Sequence, residues 1–484
     1  MPTSRTAWIV LVSIGLIGST PRATSAQENA TASNKDAATA AQSSPDLNER
    51  VGELEKEIEH LQSELTAVKK QLNAAPAAAA AAPAAPAATS AAAAPAASAA
   101  PASPPTPALT AAAPTAAPAA PAAPTLAGLL GPMSVTGFVD GYYGYNFEHP
   151  HDAACPAGTV PSGFATSCSS FRAFDGPSQQ LALNMIELII DKPPEANDSR
   201  LGYHLAFGFG NAMNVVNATD PGGLGFAQYI KEGYLSYLAP LGKGLDIDFG
   251  KFVTQHGAEV IETKDNWNYS RGLLFTYAIP FYHFGLRTKY TFSDKYNMSA
   301  YLVNGWNNIV DNNTGKTLGL QFGWNPSKKV NVVQNYMVGP EETNNNSNIR
   351  QLWDTVVTYS PTSRLSLMWN YDYARGDRMP NVANPVFWTG MAGYVRYAFN
   401  DRYALATRYE YFDDHSGFTT GTAQHLNEFT GTFERKINGA LITRLEFRRD
   451  MSNRDSFLRG TVPARAENTA LAGVVYTFDL KELK

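Results

Sequence analysis

From Gly244 to Thr254 hydrophobic and polar positions alternate almost strictly. Leu245, Ile247 and Phe249 fall on one side, and Asp246, Asp248 and Gly250 on the other. Successive side chains of a strand face opposite ways, so the stretch predicts a strand with one apolar and one charged face. The same alternation returns from about Met133 to Leu480. It predicts strands near 134–147, 180–191, 200–209, 227–239, 244–254, 283–292, 296–304, 316–325 and 329–339. Others follow near 350–360, 364–373, 389–399, 403–412, 425–435, 439–450 and 468–479. In the first, Val135, Val139, Tyr143, Tyr145 and Phe147 share one face, with Thr136, Asp140 and Asn146 on the other. The segments at 180–191 and 425–435 alternate poorly.

The connections add a second rhythm. Short turns at 240–243, 293–295, 325–328, 360–363, 400–402 and 436–438 alternate with long loops near 148–179, 210–226, 255–282, 305–315, 340–349, 374–388, 413–424 and 451–467. A soluble sandwich has no reason to keep that rhythm. A closed barrel crossing a bilayer does, because its two ends face different compartments. The expected fold class is therefore all-β: a transmembrane antiparallel barrel of about sixteen strands over 132–484, with short turns in the periplasm and long loops outside.

A different period precedes it. Leu47, Leu54, Leu61 and Val68, and Val51, Ile58, Leu65 and Leu72, form two seven-residue series offset by three and four. That seam predicts a short α-helical coiled coil over 47–73 through which chains associate, with one amphipathic helix lying on the barrel as the alternative. Residues 74–126, almost entirely Ala and Pro, bury no core and read as a disordered, extended linker. Residues 1–26 have a basic start at Arg5, an apolar run from Ala7 to Gly18 and a small-residue site at Thr24-Ser25-Ala26, the pattern of a cleaved secretory signal. Residues 27–46 carry no periodicity and read as disordered. The mature N-terminal region is expected in the periplasm, within reach of peptidoglycan.

Composition narrows this picture. A net charge of −5 gives no reason to invoke nucleic acid. A mean hydropathy of −0.23 argues against a helical membrane protein but not against a barrel, whose lumen residues offset its lipid-facing ones.

Several segments, in this order, resemble the putative β-barrel porin-2 family (OmpL-like): GFVDGYYGYNF at 137–147, GKFVTQHGAEVIE at 250–262, NYSRGLLF at 268–275, PFYHFGLR at 280–287, NGWNNIVDNN at 304–313, RYEYFDD at 408–414 and RLEFRRD at 444–450. The resemblance covers most of 134–479. It implies an outer-membrane porin in a Gram-negative-type bacterium, a passive water-filled channel for small hydrophilic solutes and ions that is not an enzyme and needs no cofactor. The end, Gly473 to Phe478, looks like a barrel-insertion signal, although Asp479 to Lys484 follow the final aromatic.

Candidate chemistry lies where the pore narrows. By analogy with sixteen-stranded porins, the third long loop, with Glu259, Glu262 and Asp265, folds into the lumen. Parity puts Arg396, Arg408, Arg444 and Arg448 on the lumen face, so an acidic loop opposite an arginine wall is expected to set a transverse field. The alternative is that these arginines pair with Glu410 and Glu446 on the same wet face. Asp140, Asp246, Asp248, Arg287 and Asp372 are further lumen candidates, so neither sign dominates. Tyr142, Tyr237, Trp324, Tyr359, Trp369, Tyr397 and Tyr411 read as interfacial girdle residues. Cys155 and Cys168, the only cysteines, predict a disulfide in the first long loop. No metal site is expected. Two other function classes stay open: an envelope tether or adhesin with a plugged lumen, and an outer-membrane barrel hydrolase.

Overall fold

The computed structural model describes residues 131–480 except 132, 152–166, 221 and 379–383. The expected signal (1–26), the stretch 27–46, the coiled coil (47–73), the linker (74–126) and Cys155 lie outside the described residues.

Among the described residues twenty strands form. The first is β1 (Ser134–Asn146), followed by a small hairpin of β2 (Ser167–Cys168) and β3 (Pro177–Ser178). Then come β4 (Gln180–Lys192), β5 (Leu201–Phe209), β6 (Ile230–Ala239), β7 (Leu245–Val253), β8 (Tyr282–Ser293), β9 (Tyr296–Val303) and β10 (Thr317–Ser327). The second half holds β11 (Val330–Glu342), β12 (Asn345–Tyr359), β13 (Leu365–Gly376), β14 (Val386–Ala398), β15 (Tyr403–Asp414), β16 (Gln424–Ile437) and β17 (Leu441–Ser452). A second small hairpin, β18 (Phe457–Arg459) and β19 (Val462–Ala464), precedes β20 (Ala466–Asp479). Setting aside the two hairpins, sixteen strands pair with their neighbours in chain order, and β1 pairs with β20 to close the barrel. Every barrel pair is antiparallel. Closure leaves no unpaired edge, which is what lets a sheet cross hydrocarbon.

Parity sets the outer belt. Val139, Leu205, Phe249, Leu320, Trp369, Leu405 and Leu445 are exposed on the outside, while their chain neighbours Asp140, Asp248, Asn370 and Arg444 are buried inside. The two poorly alternating segments have separate explanations. In β4 a bulge opposite Asp140/Gly141 inserts Asn184, so Asn184 and Met185 both point inward and the alternation changes phase. In β16 burial alternates from Gln424 to Arg435, but the outward positions include His425, Asn427 and Gly431, which blurs the hydropathy pattern.

Two expectations are corrected. The long loop near 340–349 does not form. Instead β11 and β12 continue as a paired ribbon to Glu342 and Asn345, joined by Thr343-Asn344. Asn344 has φ +57°, a conformation asparagine tolerates. Tyr142 is not a girdle residue. It is buried inside the barrel, its hydroxyl donates to Pro177 O at 3.3 Å, and its ring lies 5.7 Å from that of Tyr269.

Candidate functional site

The connection from β7 to β8, residues 254–281, turns into the barrel. It has little secondary structure of its own: a 3₁₀ turn (Thr263–Asp265) and a single π turn (Leu274–Ala278). A buried segment of this kind must find partners for its peptide groups elsewhere. The barrel wall supplies them.

Carboxylates of the wall accept the loop's N–H groups. Gly257 N donates to Asp354 Oδ2 (2.9 Å), Tyr269 N and Ser270 N donate to Glu446 (2.6 and 3.0 Å), and Leu273 N donates to Glu410. Arginines take the carbonyls. Arg408 donates to Ser270 O (2.7 Å), Arg444 to Thr263 O (2.5 Å) and Asn266 O (2.7 Å), and Arg448 to Arg271 O (2.7 Å). On β1, Asp140 accepts from the hydroxyls of Thr263 and Tyr269, each at 2.7 Å. Contact is close: a Cβ on Gly272 would lie 2.2 Å from Glu410 Oε1, so a larger residue would have to push that carboxylate aside. Leu273, Leu274 and Phe275 of the loop belong to one buried apolar cluster with Phe174, Tyr394 and Phe412, and the Phe275 ring lies 5.6 Å from that of Phe174.

The expected site residues are distributed as follows. Glu259 contacts Arg408 directly (2.6 Å), and Arg408 also binds Glu428 (2.7 Å) and lies 3.8 Å from Glu410. No gap separates the acidic loop from the arginine wall at this point, because the loop is docked on that wall. Arg396 and Arg444 share Glu434 at 3.0 and 2.7 Å, while Arg448 holds Asp450 (2.6 Å) and Glu428 (3.2 Å). Glu446 serves the loop's peptide groups and the Thr432 hydroxyl. Glu262 reaches the other flank, where it pairs with Lys231, itself bound to Glu187. Asp265 is exposed beside Lys264 (2.5 Å). Cys168 is disulfide-bonded.

Asp246, Asp248 and Arg287 take no part in the docking contacts; they line an open cleft of about 390 Å³ along β4 to β10, which the loop borders at Thr254 and Gln255. Asp248 accepts from Arg287 Nε (2.8 Å) and Ser236 Oγ (2.6 Å). The Arg287 guanidinium stacks on Phe252 and Tyr234, 4.6 and 5.0 Å from the ring centroids. Asp191, Lys192 and Lys289 also line the cleft, so both signs of charge face it.

Burial and charge set the loop's protonation. Burial, then the neighbouring His283, holds the His256 imidazole well below its usual range. Burial and the charge of Asp140 push the Tyr269 phenol far up, so it stays a donor. In the first long loop burial would raise the Asp175 carboxyl, but Arg172 outweighs it and holds the group below its usual value. Among the described residues no group of three or more His, Cys, Asp and Glu side chains is placed to hold a metal.

Sequence reasoning missed Lys231, Glu187, Asp354 and Glu428. Parity on β12 and β16 would have found Asp354 and Glu428. Lys231 is inward only because a bulge opposite Ala206/Phe207 turns both Lys231 and Glu232 to the lumen.

Comparison with known proteins gives barrels of low identity. The anion-selective porin from Comamonas acidovorans is 8% identical, with a TM-score of 0.48, over 72% of this chain and 99% of that one. The outer-membrane expressed OmpT of Vibrio cholerae is 12% identical, with a TM-score of 0.46, over 72% and 97%. The outer membrane channel DcaP of Acinetobacter baumannii is 12% identical, with a TM-score of 0.45, over 72% and 97%. None of the curated proteins matches the sequence. The family model described as "Putative beta-barrel porin-2, OmpL-like" matches residues 132–478, nearly the whole barrel with its inward loop, and the chain belongs to that family of outer-membrane β-barrels.

Proposed function

We propose that the barrel is a passive channel for small hydrophilic solutes and ions, with the water path running along the β4–β10 wall. The observation that carries this is the asymmetry of the lumen. The third long loop is fastened mainly to β12, β13, β15, β16, β17 and β1 and reaches the other wall through Glu262 on Lys231 and Gln255 on Gln321, while that wall keeps a polar cleft lined by Asp246, Asp248, Arg287 and Lys289. The long-loop end faces outward, and the N-terminal region lies in the periplasm. There the 47–73 seam associates chains, and the linker spans towards peptidoglycan. Rings of fixed charge along a narrow water path select by charge and size.

Reconstitution of the mature chain in a planar bilayer under a salt gradient tests the reading. Stepwise, long-lived conductance supports it, and the reversal potential gives the selectivity. A folded barrel that stays silent overturns it in favour of a plugged tether. Deleting 47–73 is expected to reduce association while conductance persists; unchanged association would remove that role from the segment.

A further inference from the structure

At the barrel end that carries the long connections, a second cavity of about 470 Å³ opens above the docked loop. It is lined by Tyr277 and Phe281 of that loop, Trp306 from the β9–β10 connection, Trp388 at the start of β14 and Phe418 after β15. The rings are ordered against one another. Trp388 stacks on Phe418 at 5.4 Å and 13°, and meets Trp306 edge-on at 6.1 Å. The Trp388 indole N–H is fixed on Ala278 O at 3.1 Å, tying the aromatic wall to the loop. Amides and hydroxyls, among them Asn308, Asn312, Thr343 and Thr419, form the rest of the lining.

The cavity's two charges define what it accepts. Arg350 gives Nε and Nη2 to Asp377, both at 2.5 Å, so an anion would have to displace a carboxylate already in place. The same guanidinium lies 4.7 Å from the Trp306 ring, 5.4 Å from Phe418 and 5.8 Å from Trp388. It occupies the position over the aromatic faces where a ligand cation would sit, and repels one. Glu341 accepts from the Thr317 hydroxyl (2.6 Å) and Trp306 N (2.7 Å), and is buried. With anion and cation both disfavoured, the cavity suits a neutral ligand that has apolar faces for the rings and hydroxyls for the amides and for Arg350 Nη1. Saccharides combine those features.

We propose that this vestibule is a saccharide-binding site that loads the channel, an inference that rests on the channel reading for its purpose but not for its chemistry. The test uses the full mature chain and maltose as probe, added on the long-loop side of a planar bilayer. In parallel, tryptophan fluorescence is followed on the detergent-solubilised barrel, with succinate and choline as anionic and cationic probes. Maltose is expected to produce brief, reversible current blocks and a saturable fluorescence change in the millimolar range, with succinate and choline weaker. Trp306→Ala should weaken the response about tenfold or more, and Trp306→Phe should restore part of the blockade. Open-channel conductance and heat-modifiable migration should stay unchanged, which shows that the variants fold.

Conductance with no response to maltose in either readout overturns the site and leaves the channel reading intact. So does a response that survives Trp306→Ala in full, or one stronger for succinate or choline. Saturable fluorescence without conductance keeps the site and removes the channel.

Discussion

The two walls of the lumen carry similar residues and use them differently. On β15 to β17, Arg408, Arg444, Arg448, Glu410 and Glu446 are almost wholly buried and hold the peptide groups of the third long loop. On β7 and β8, Asp246, Asp248, Arg287 and Lys289 face an open cleft. Composition does not separate them; what covers them does. A charge under the loop is structural, because removing its partner leaves it buried and unpaired. In the cleft Lys289 is exposed and screened by water and contributes little to stability, whereas Asp248 is buried against Arg287 and Ser236.

The largest expected contrast follows from breaking one wall at a time. Arg408→Ala strands Glu259 and Glu428 and should cost about 3–5 kcal/mol in docking of the loop. That would be read as cleavage within 255–281 by added protease and as noisy current. Lys289→Gln in the cleft should leave both unchanged.

Acidification acts in the same direction as Arg408→Ala, more gently. An undocked loop exposes His256, which then takes a proton below its ordinary value of about 6.5, whereas burial keeps the docked imidazole neutral. The undocked state therefore binds more protons as pH falls through that value, and docking weakens by at most about 1.4 kcal/mol per pH unit. Loop protection measured from pH 7 to 5 should fall in the wild type and fall less in His256→Asn. Equal slopes would show that another group governs the change.

In the open wall, Asp246→Asn should change melting by no more than about 0.5 kcal/mol while moving the reversal potential towards anions. An unmoved potential would place the ion path elsewhere.

The smallest effect is expected at Asp372. It lies directly opposite Asp354 on the neighbouring strand, and both carboxyl groups are buried inside the barrel. Asp372→Asn removes the repulsion of like groups directly opposite and should be neutral or slightly stabilising in thermal unfolding. A clear loss would mean that the carboxylate has a partner, such as a bound water.

Alternation made the sixteen barrel strands and the inward faces of β7, β8, β15 and β17 legible in the sequence, because a strand of period two reports its two sides directly. What the alternation could not report is contact across the lumen. Nothing local says that Glu259 meets Arg408, 149 residues away, or that Asp354 receives Gly257 N. Bulges defeat parity by one residue, which hid Asn184 and Lys231. Tyr142 misled because an aromatic near a strand end suits a lipid interface and a packed interior equally well. The Thr343-Asn344 link looked like part of a loop because asparagines fill both loops and the turns of paired ribbons.

The docking of the third long loop has an evolutionary consequence. The wall grips main-chain atoms: the N–H groups of Gly257, Tyr269, Ser270 and Leu273, and the carbonyls of Thr263, Asn266, Ser270 and Arg271. Those atoms survive most substitutions; the exceptions are proline, which removes the donor, and any replacement of Gly257, whose φ of +90° disfavours a side chain. Side chains of the loop that face the cleft or the vestibule are therefore open to change without loss of the scaffold. One barrel can carry a differently lined lumen while its fastening stays as it is.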